Sequence, residues 1–261
     1  MNFDTVALMS PTKRPTIATL VGGPGIGKTS LAALFPDPII MKTEDGTKSL
    51  DQIVAFNPGF KRENVAVFGD SGKDILFQSF QDMKDGINYL RTAQHKRRTL
   101  IIDSVTQADT LFQAEILRTD PKAKSINQAG GGYGAGWNMV ANMHREIREL
   151  CGLLAEEREM NIVFIAHEAL ETVDSPDTES YMRATLRMNA KCTQPYIHNV
   201  DLVAFIKLEA FVVGDEKKRA TGSGRRMITC HSTPANVGKN RFGISQEIVF
   251  DLTCNPFAEY L

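Results

Sequence analysis

The residues most able to do chemistry stand together near the start of the chain. Gly22-Gly23-Pro24-Gly25-Ile26-Gly27-Lys28-Thr29 has the spacing Gly-x-x-x-x-Gly-Lys-Thr, and Ser30 follows it. Glycines let a backbone curl until successive N–H groups point inward at phosphate oxygens. A helix beginning at Lys28 adds the positive end of its dipole. Lys28 would reach the β- and γ-phosphate oxygens, and the Thr29 hydroxyl would ligate magnesium. The motif needs a strand before it and a helix after it, and both are expected here. The ligands implied are ATP or a close relative, with Mg2+.

Acids at the ends of buried strands extend the site. Asp103 closes Thr99-Leu100-Ile101-Ile102-Asp103, where a carboxylate can hold magnesium directly or through water; it could instead cap the helix starting at Ser104. Glu44 lies just past the strand Pro38-Ile39-Ile40-Met41 and could orient or deprotonate an attacking water. His167 ends the apolar run Asn161–Ala166.

The elements positioning these residues follow from pattern. Thr16–Val21 is a β-branched apolar run, read as a buried strand entering the glycine loop. A helix over Lys28–Phe35 ends before Pro36 and Pro38. Asn64–Phe68 is another strand candidate. Phe80, Met83, Ile87 and Leu90 recur at helical spacing within Gln78–Gln94. A helix runs from the Asp103 strand to about Arg118. A glycine-rich loop then spans Thr119–Gly136, and a long helix covers Trp137–Glu159. Beyond His167 come shorter strands over Asp201–Leu208, Phe211–Val213, Arg226–Cys230 and Glu247–Leu252. Turns are expected at Gly214–Lys218 and at Gly222-Ser223-Gly224. Alternating strands and helices followed by a β-rich end predict an α/β fold, a mostly parallel central sheet flanked by helices with antiparallel strands at the C-terminal end. Residues 1–15 form an expected N-terminal arm, and 16–261 a single core domain.

Order and spacing together resemble the RecA-type P-loop core, over about Thr16 to Leu252. Leu100–Thr106, with its Asp-Ser pair, resembles the RecA magnesium-binding segment. Ile162–His167 looks like the strand whose terminal polar residue senses the γ-phosphate; RecA has Gln there, and His167 departs from it. Val237-Gly238-Lys239-Asn240-Arg241 resembles the Lys-Asn-Lys or Lys-Asn-Arg element of RecA and DnaB-type helicases. The resemblance implies that Lys239 and Arg241 reach a neighbouring subunit's nucleotide, in a ring or a filament; otherwise they form a solvated basic turn. A minimal core of this size is similar to the phage-encoded RecA-like single-strand annealing proteins. That likeness implies ATP-modulated binding of single-stranded DNA, annealing and recombination, with a single-strand-binding protein as a further partner.

Two segments correspond to the DNA loops of such proteins. The first holds Lys122, Lys124 and Tyr133 among glycines: cations, flexible backbone and a ring for stacking. The second spans Glu168 to about Asn199. It is acidic first (Glu168, Glu171, Asp174, Asp177, Glu179) and basic later, with Arg183, Arg187 and Lys191 four residues apart, on one face if helical.

Bulk properties bound these readings. A formal net charge of -1 over 261 residues excludes a globally cationic surface, so nucleic acid must meet a local patch. No apolar run is long enough to span a bilayer, and Met1–Pro15 lacks a signal-peptide core; the expected location is the cytoplasm, the host's if the chain is phage-encoded. Cys151, Cys192, Cys230 and Cys254 are spaced too widely for a zinc knuckle or redox pair and are expected to be reduced, buried thiols. His95, His144, His167, His198 and His231 show no metal-ligand spacing. Three alternatives to a DNA-stimulated ATPase stay open: a nucleotide-switched DNA-binding module with little turnover, a helicase or loader motor, and a P-loop small-molecule kinase.

Overall fold

Strands buried on both faces require an apolar side chain at nearly every position, and this chain supplies such runs at the places expected. The computed structural model describes residues 14–176, 178–213 and 219–261. In chain order the elements are β1 (Ile17–Gly22), α1 (Lys28–Ala33), β2 (Pro38–Lys42), α2 (Leu50–Phe56), β3 (Ala66–Val67), β4 (Gly69–Asp70), β5 (Lys73–Asp74), α3 (Phe80–Thr92), β6 (Thr99–Asp103), α4 (Val105–Thr119) and α5 (Ala135–Arg158). They continue with β7 (Asn161–Ser175), β8 (Thr178–Leu186), α6 (Ala190–Ile197), β9 (Leu202–Val213), β10 (Arg219–Thr229), β11 (Lys239–Asn240) and β12 (Ile248–Phe250).

The main sheet runs β12-β10-β9-β1-β7-β6-β2-β3. From β9 to β3 every pairing is parallel; β10, β11 and β12 add antiparallel strands at the C-terminal end. This is the α/β architecture that the pattern predicts. Alternation along each strand feeds two cores. Leu20, Ile101, Val163 and Ile165 pack on the α1 and α2 side, whereas Val21, Leu100, Ile102, Ile162 and Phe164 pack against α3, α4 and α5. Each such fully buried aliphatic side chain stabilises the fold by about 1.5–3 kcal/mol. Ser79 caps α3 and Ser104 caps α4, their hydroxyls accepting from the Asp82 and Gln107 N–H groups at 3.1 and 3.2 Å.

Several expectations need correction. The strand predicted to end at His167 continues to Ser175 and turns back as β8, an antiparallel hairpin. Residues 167–175 alternate in exposure, the signature of period two rather than 3.6. Arg183, Arg187 and Lys191 therefore do not share a helix face: Arg183 is on β8, Arg187 follows it, and Lys191 is in α6. Four-residue spacing fits a helix, but cross-strand pairing of Arg183 with Glu171 prevails. Gly222-Ser223-Gly224 lies within β10, where the register shifts between Gly222 and Arg226, rather than forming a turn between strands. The two strands expected around Leu208 and Phe211 are one, β9. Cys151, Cys192 and Cys230 are buried thiols as expected, but Cys254 is exposed. The turn at Gly214–Lys218, most of the N-terminal arm and Asp177 lie outside the described residues. Among the described residues, no helix is long and apolar enough to cross a membrane.

Candidate functional site

Strand order gathers the site. β1 lies between β9 and β7, and β6 lies between β7 and β2. The registers Gly22↔His167, Ile165↔Asp103 and Asp103↔Lys42 bring the C-terminal ends of these parallel strands to one edge. Ligands of open α/β sheets bind at that edge. Gly22, Lys28, Thr29, Glu44, Asp103 and His167 all converge there.

The loop from Gly22 to Gly27 is shaped by its glycines. Gly25 and Gly27 have φ of 71° and 102°, in the left-handed region. A Cβ on Gly22 would stand 2.5 Å from the carbonyl oxygen of Ile206, so β9 can approach only a glycine. Lys28 Nζ donates to the Gly22 and Gly23 carbonyls at 2.9 and 2.8 Å, which holds the ammonium in the mouth of the loop. Burial pulls its pKa below the usual lysine value; the charge of Arg187 acts in the same direction, while Asp103, Glu44 and Glu168 oppose. Ser30, the last of the expected loop residues, is buried, and its hydroxyl donates to the Ser49 carbonyl.

Thr29 Oγ1 donates to Asp103 Oδ2 at 2.7 Å. Asp103 is 4% exposed, and its carboxyl pKa is pushed up to about 6. Burial is the main cause and the charge of Glu44 adds to it, against the Thr29 hydrogen bond and the charges of Lys28 and His167. A buried carboxylate and an adjacent hydroxyl form a hard oxygen donor pair, the ligand type that suits magnesium. The loop after β2 passes close by. A Cβ on Gly46 would lie 3.1 Å from Asp103 Oδ2 and 3.5 Å from Thr29 Oγ1, so the glycine leaves the pair uncrowded.

On the other side of this pair, His167 Nε2 meets Glu44 Oε1 at 2.9 Å. That hydrogen bond, more than the one with Ser104, holds the Glu44 pKa below the ordinary carboxyl value despite burial. The Thr43 and Glu44 N–H groups donate to the Asp103 carbonyl, and Thr43 Oγ1 donates to the Ser104 carbonyl at 2.8 Å. The His167 N–H donates to Thr106 Oγ1 at 3.0 Å, which ties β7 to the first turn of α4. Glu44, Asp103 and His167 are thus one hydrogen-bonded assembly beside the lysine.

Lys239 and Arg241 lie elsewhere. β11 pairs with the first residues of β9, at the sheet end opposite Gly22. Lys239 Nζ donates to the His198 carbonyl, and Arg241 Nη1 meets Asp201 Oδ1 at 2.9 Å. The candidate DNA residues are dispersed. Lys122, Lys124 and Tyr133 are exposed in the first loop. Lys191 Nζ donates to Asn138 Oδ1 at 2.8 Å, joining that loop's end rather than Arg183. Arg183 is paired with Glu171 through Nε and Nη2 at 3.0 and 2.7 Å. The Arg187 N–H donates to the His167 carbonyl, so this residue stands at the phosphate site's edge.

Spacing along the chain missed three features. Arg226 of β10 donates from Nε to the Ile26 carbonyl at 3.0 Å; the Arg225-Arg226 pair in a strand carries no motif. Gly46 sits beside the donor pair without a sequence signature. The histidines show no ligand spacing, yet folding brings Asp109, His144 and Cys192 together, their donor atoms within 4.8 Å of one another. His144 contacts Asp109 at 3.0 Å and Tyr196 at 2.8 Å, and Gln113 Nε2 donates to Asp109 Oδ2 at 2.6 Å. Burial pushes the His144 pKa down, and the group is a hydrogen-bonded network uniting α4, α5 and α6.

Sheet order, glycine loop, lysine and magnesium-type donor pair define a P-loop nucleotide-binding protein with a RecA-like core. The chain belongs to the AAA-domain family, whose sequence profile matches residues 14–242. No curated protein matches it in sequence. Among solved structures, one entitled "Crystal structure of the RadB recombinase" is similar, with a TM-score of 0.46 and 13% identity over 82% of this chain and 80% of that one.

Proposed function

We propose that this protein is an ATPase of the RecA type that binds single-stranded DNA, is stimulated by it, and promotes annealing in phage recombination within the host cytoplasm. The observation carrying this reading is the continuity of β7. One strand bears His167, hydrogen-bonded to Glu44 at 2.9 Å, and then runs without a break into the β7–β8 hairpin that carries Arg183. That shared strand is the physical connection through which the phosphate site and the hairpin surface would be coupled.

Chemical roles follow from position. The loop N–H groups and Lys28 bind and neutralise phosphate oxygens. Thr29 and Asp103 would hold Mg2+, which supplies charge neutralisation on the phosphate oxygens. Glu44, kept ionised by His167, accepts the proton of an attacking water. Its hydrogen bond to His167 must loosen for it to do so, and His167 can then donate to a phosphate oxygen. Lys239 and Arg241, remote from their own chain's loop, would exchange their contacts with the His198 carbonyl and Asp201 for a neighbour's nucleotide, which would make the site dependent on assembly. Tyr133, Lys122 and Lys124, exposed in the first loop, and Lys191, held at its end by Asn138, would supply stacking and phosphate contacts. Arg183 and Arg187 are the cations of the hairpin side.

The test is ATP turnover with and without single-stranded DNA at low salt, for the wild type and for Lys28→Ala. DNA should raise wild-type turnover, and the variant should fold yet turn over no ATP. Turnover indifferent to DNA would remove the recombinase reading. Electron microscopy of the protein on single strands, with a non-hydrolysable ATP analogue, distinguishes ring from filament.

A further inference from the structure

Arg226 is placed on the phosphate loop by strand geometry. β10 is antiparallel to β9 with Ile228 opposite Ile206, and Ile206 is opposite Gly22 of β1. Arg226 therefore stands two residues, about 7 Å, beyond the end of β1, level with the loop. Successive strand side chains alternate between faces, so Arg226 shares its face with Ile228. Ile228 packs in the same core as Ile26 and Leu31, on the α1 side of the sheet. Nε of Arg226 donates to the Ile26 carbonyl at 3.0 Å, and a Cβ on Gly27 would stand 3.4 Å from that nitrogen. Phe250, opposite Arg226 on β12, closes the same spot, its ring 3.7 Å from the Gly27 Cβ position.

The neighbouring cations are paired: Arg225 with Glu209, and Lys207 with Glu247. Among the described residues, no carboxylate forms an ion pair with Arg226, although its side chain is partly buried. A guanidinium has five N–H donors, and the Ile26 carbonyl engages one. A partly desolvated arginine against a phosphate-binding loop is suited to an anionic oxygen.

Position also selects which oxygen. Asp103, Glu44 and His167 lie on the β7, β6 and β2 side of β1, and Arg226 lies across β9 on the opposite side. The metal and water chemistry of the terminal phosphoryl group belongs to the first side. We propose that Arg226 is a nucleotide-binding residue of its own chain that grips the α-phosphate and sugar end. It would then bind nucleoside di- and triphosphates alike. This rests on the nucleotide reading of the loop.

The experiment is equilibrium titration of the full chain with MgATP and with MgADP, comparing wild type, Arg226→Gln and Arg226→Lys. Gln keeps an N–H for the Ile26 carbonyl but no charge. It should weaken both nucleotides by the same factor, about tenfold or more. Lys restores charge without the planar fork and should recover part of the loss for both. Wild-type affinity in Arg226→Gln would overturn the proposal, leaving a mere latch on the loop. Weakening of MgATP alone would also overturn it, placing the arginine at the γ end. Should Arg226→Gln not fold, a Lys variant with unchanged affinity for both nucleotides overturns it equally. A wild type that binds neither nucleotide removes the nucleotide reading itself, and this proposal with it.

Discussion

Asp103→Asn should make the nucleotide-free protein more stable, and by an amount that depends on pH. The Asp103 carboxyl is buried and has a folded-state pKa of about 6 against an ordinary value of 3.8. Burial, reinforced by Glu44, disfavours its charged form. A folded pKa raised above the unfolded one means the native state holds the proton more tightly. Stability from the protonated carboxyl is complete below pH 3.8 and is lost as pH rises through about 6. The difference corresponds to about 3 kcal/mol once the group is ionised in both states. Asn mimics the protonated acid in shape and can still accept from Thr29. The variant should therefore gain up to about 3 kcal/mol over wild type at pH 8 and almost nothing at pH 4. Urea unfolding of both proteins, in EDTA and without nucleotide, measures this. Taking the difference between the two cancels the other titrating groups. Adding magnesium and ATP should then stabilise the wild type far more than the variant. A stability difference that stays flat from pH 4 to pH 8 would refute the argument that this carboxylate is held ready for a cation at the fold's expense.

Three further outcomes are expected. Gly22→Ala puts a methyl 2.5 Å from a backbone oxygen of β9 and should destabilise the protein by at least about 1–3 kcal/mol, read as a lower denaturant midpoint. His167→Ala removes the hydrogen bond that keeps the Glu44 pKa low, so the acid limb of the pH–turnover profile should move to higher pH. Tyr133→Ala should leave the unfolding midpoint unchanged, because the ring is fully exposed, yet lower affinity for single-stranded DNA by about 1–3 kcal/mol as read by a binding titration.

Legibility in the sequence followed burial. β1, β2, β6 and the first half of β7 are apolar on both faces, so Thr99–Asp103 is recognisable as a run and its final acid as a site residue. The phosphate loop is equally plain, because backbone geometry demands glycine at Gly22, Gly25 and Gly27. Glu44 and His167 could be placed at strand ends, but their mutual hydrogen bond joins residues 123 apart in sequence and emerges only from strand order. The β7–β8 hairpin was obscured because Arg183, Arg187 and Lys191 suit a helix by spacing. The alternation from His167 to Ser175 and the cross-strand pairing of Glu171 with Arg183 carried the opposite signal. β10 was hidden for a related reason. Glycines at Gly222 and Gly224 suggest a turn, whereas an irregular ladder with a register shift absorbs them. Arg226 was invisible because its importance lies in how far β10 carries it past the end of β1, a quantity set by strand register that no local pattern encodes.

The first loop has a property whose consequence is kinetic. Five successive residues, Gly130, Gly131, Gly132, Tyr133 and Gly134, have positive φ, and Tyr133, at 52°, is the one that is not glycine. An L-residue in that region costs about 1–2 kcal/mol. The segment is nevertheless pinned: Asp120 accepts from the Gly130 N–H at 3.0 Å, Ala129 from Gly132 and Gly132 from Ala135. The tyrosine ring is thus mounted outward on a mirror-handed arch. On the DNA-binding reading proposed above, a platform already set in place gives up little backbone freedom on contact, so capture of a base would wait on no rearrangement of the loop.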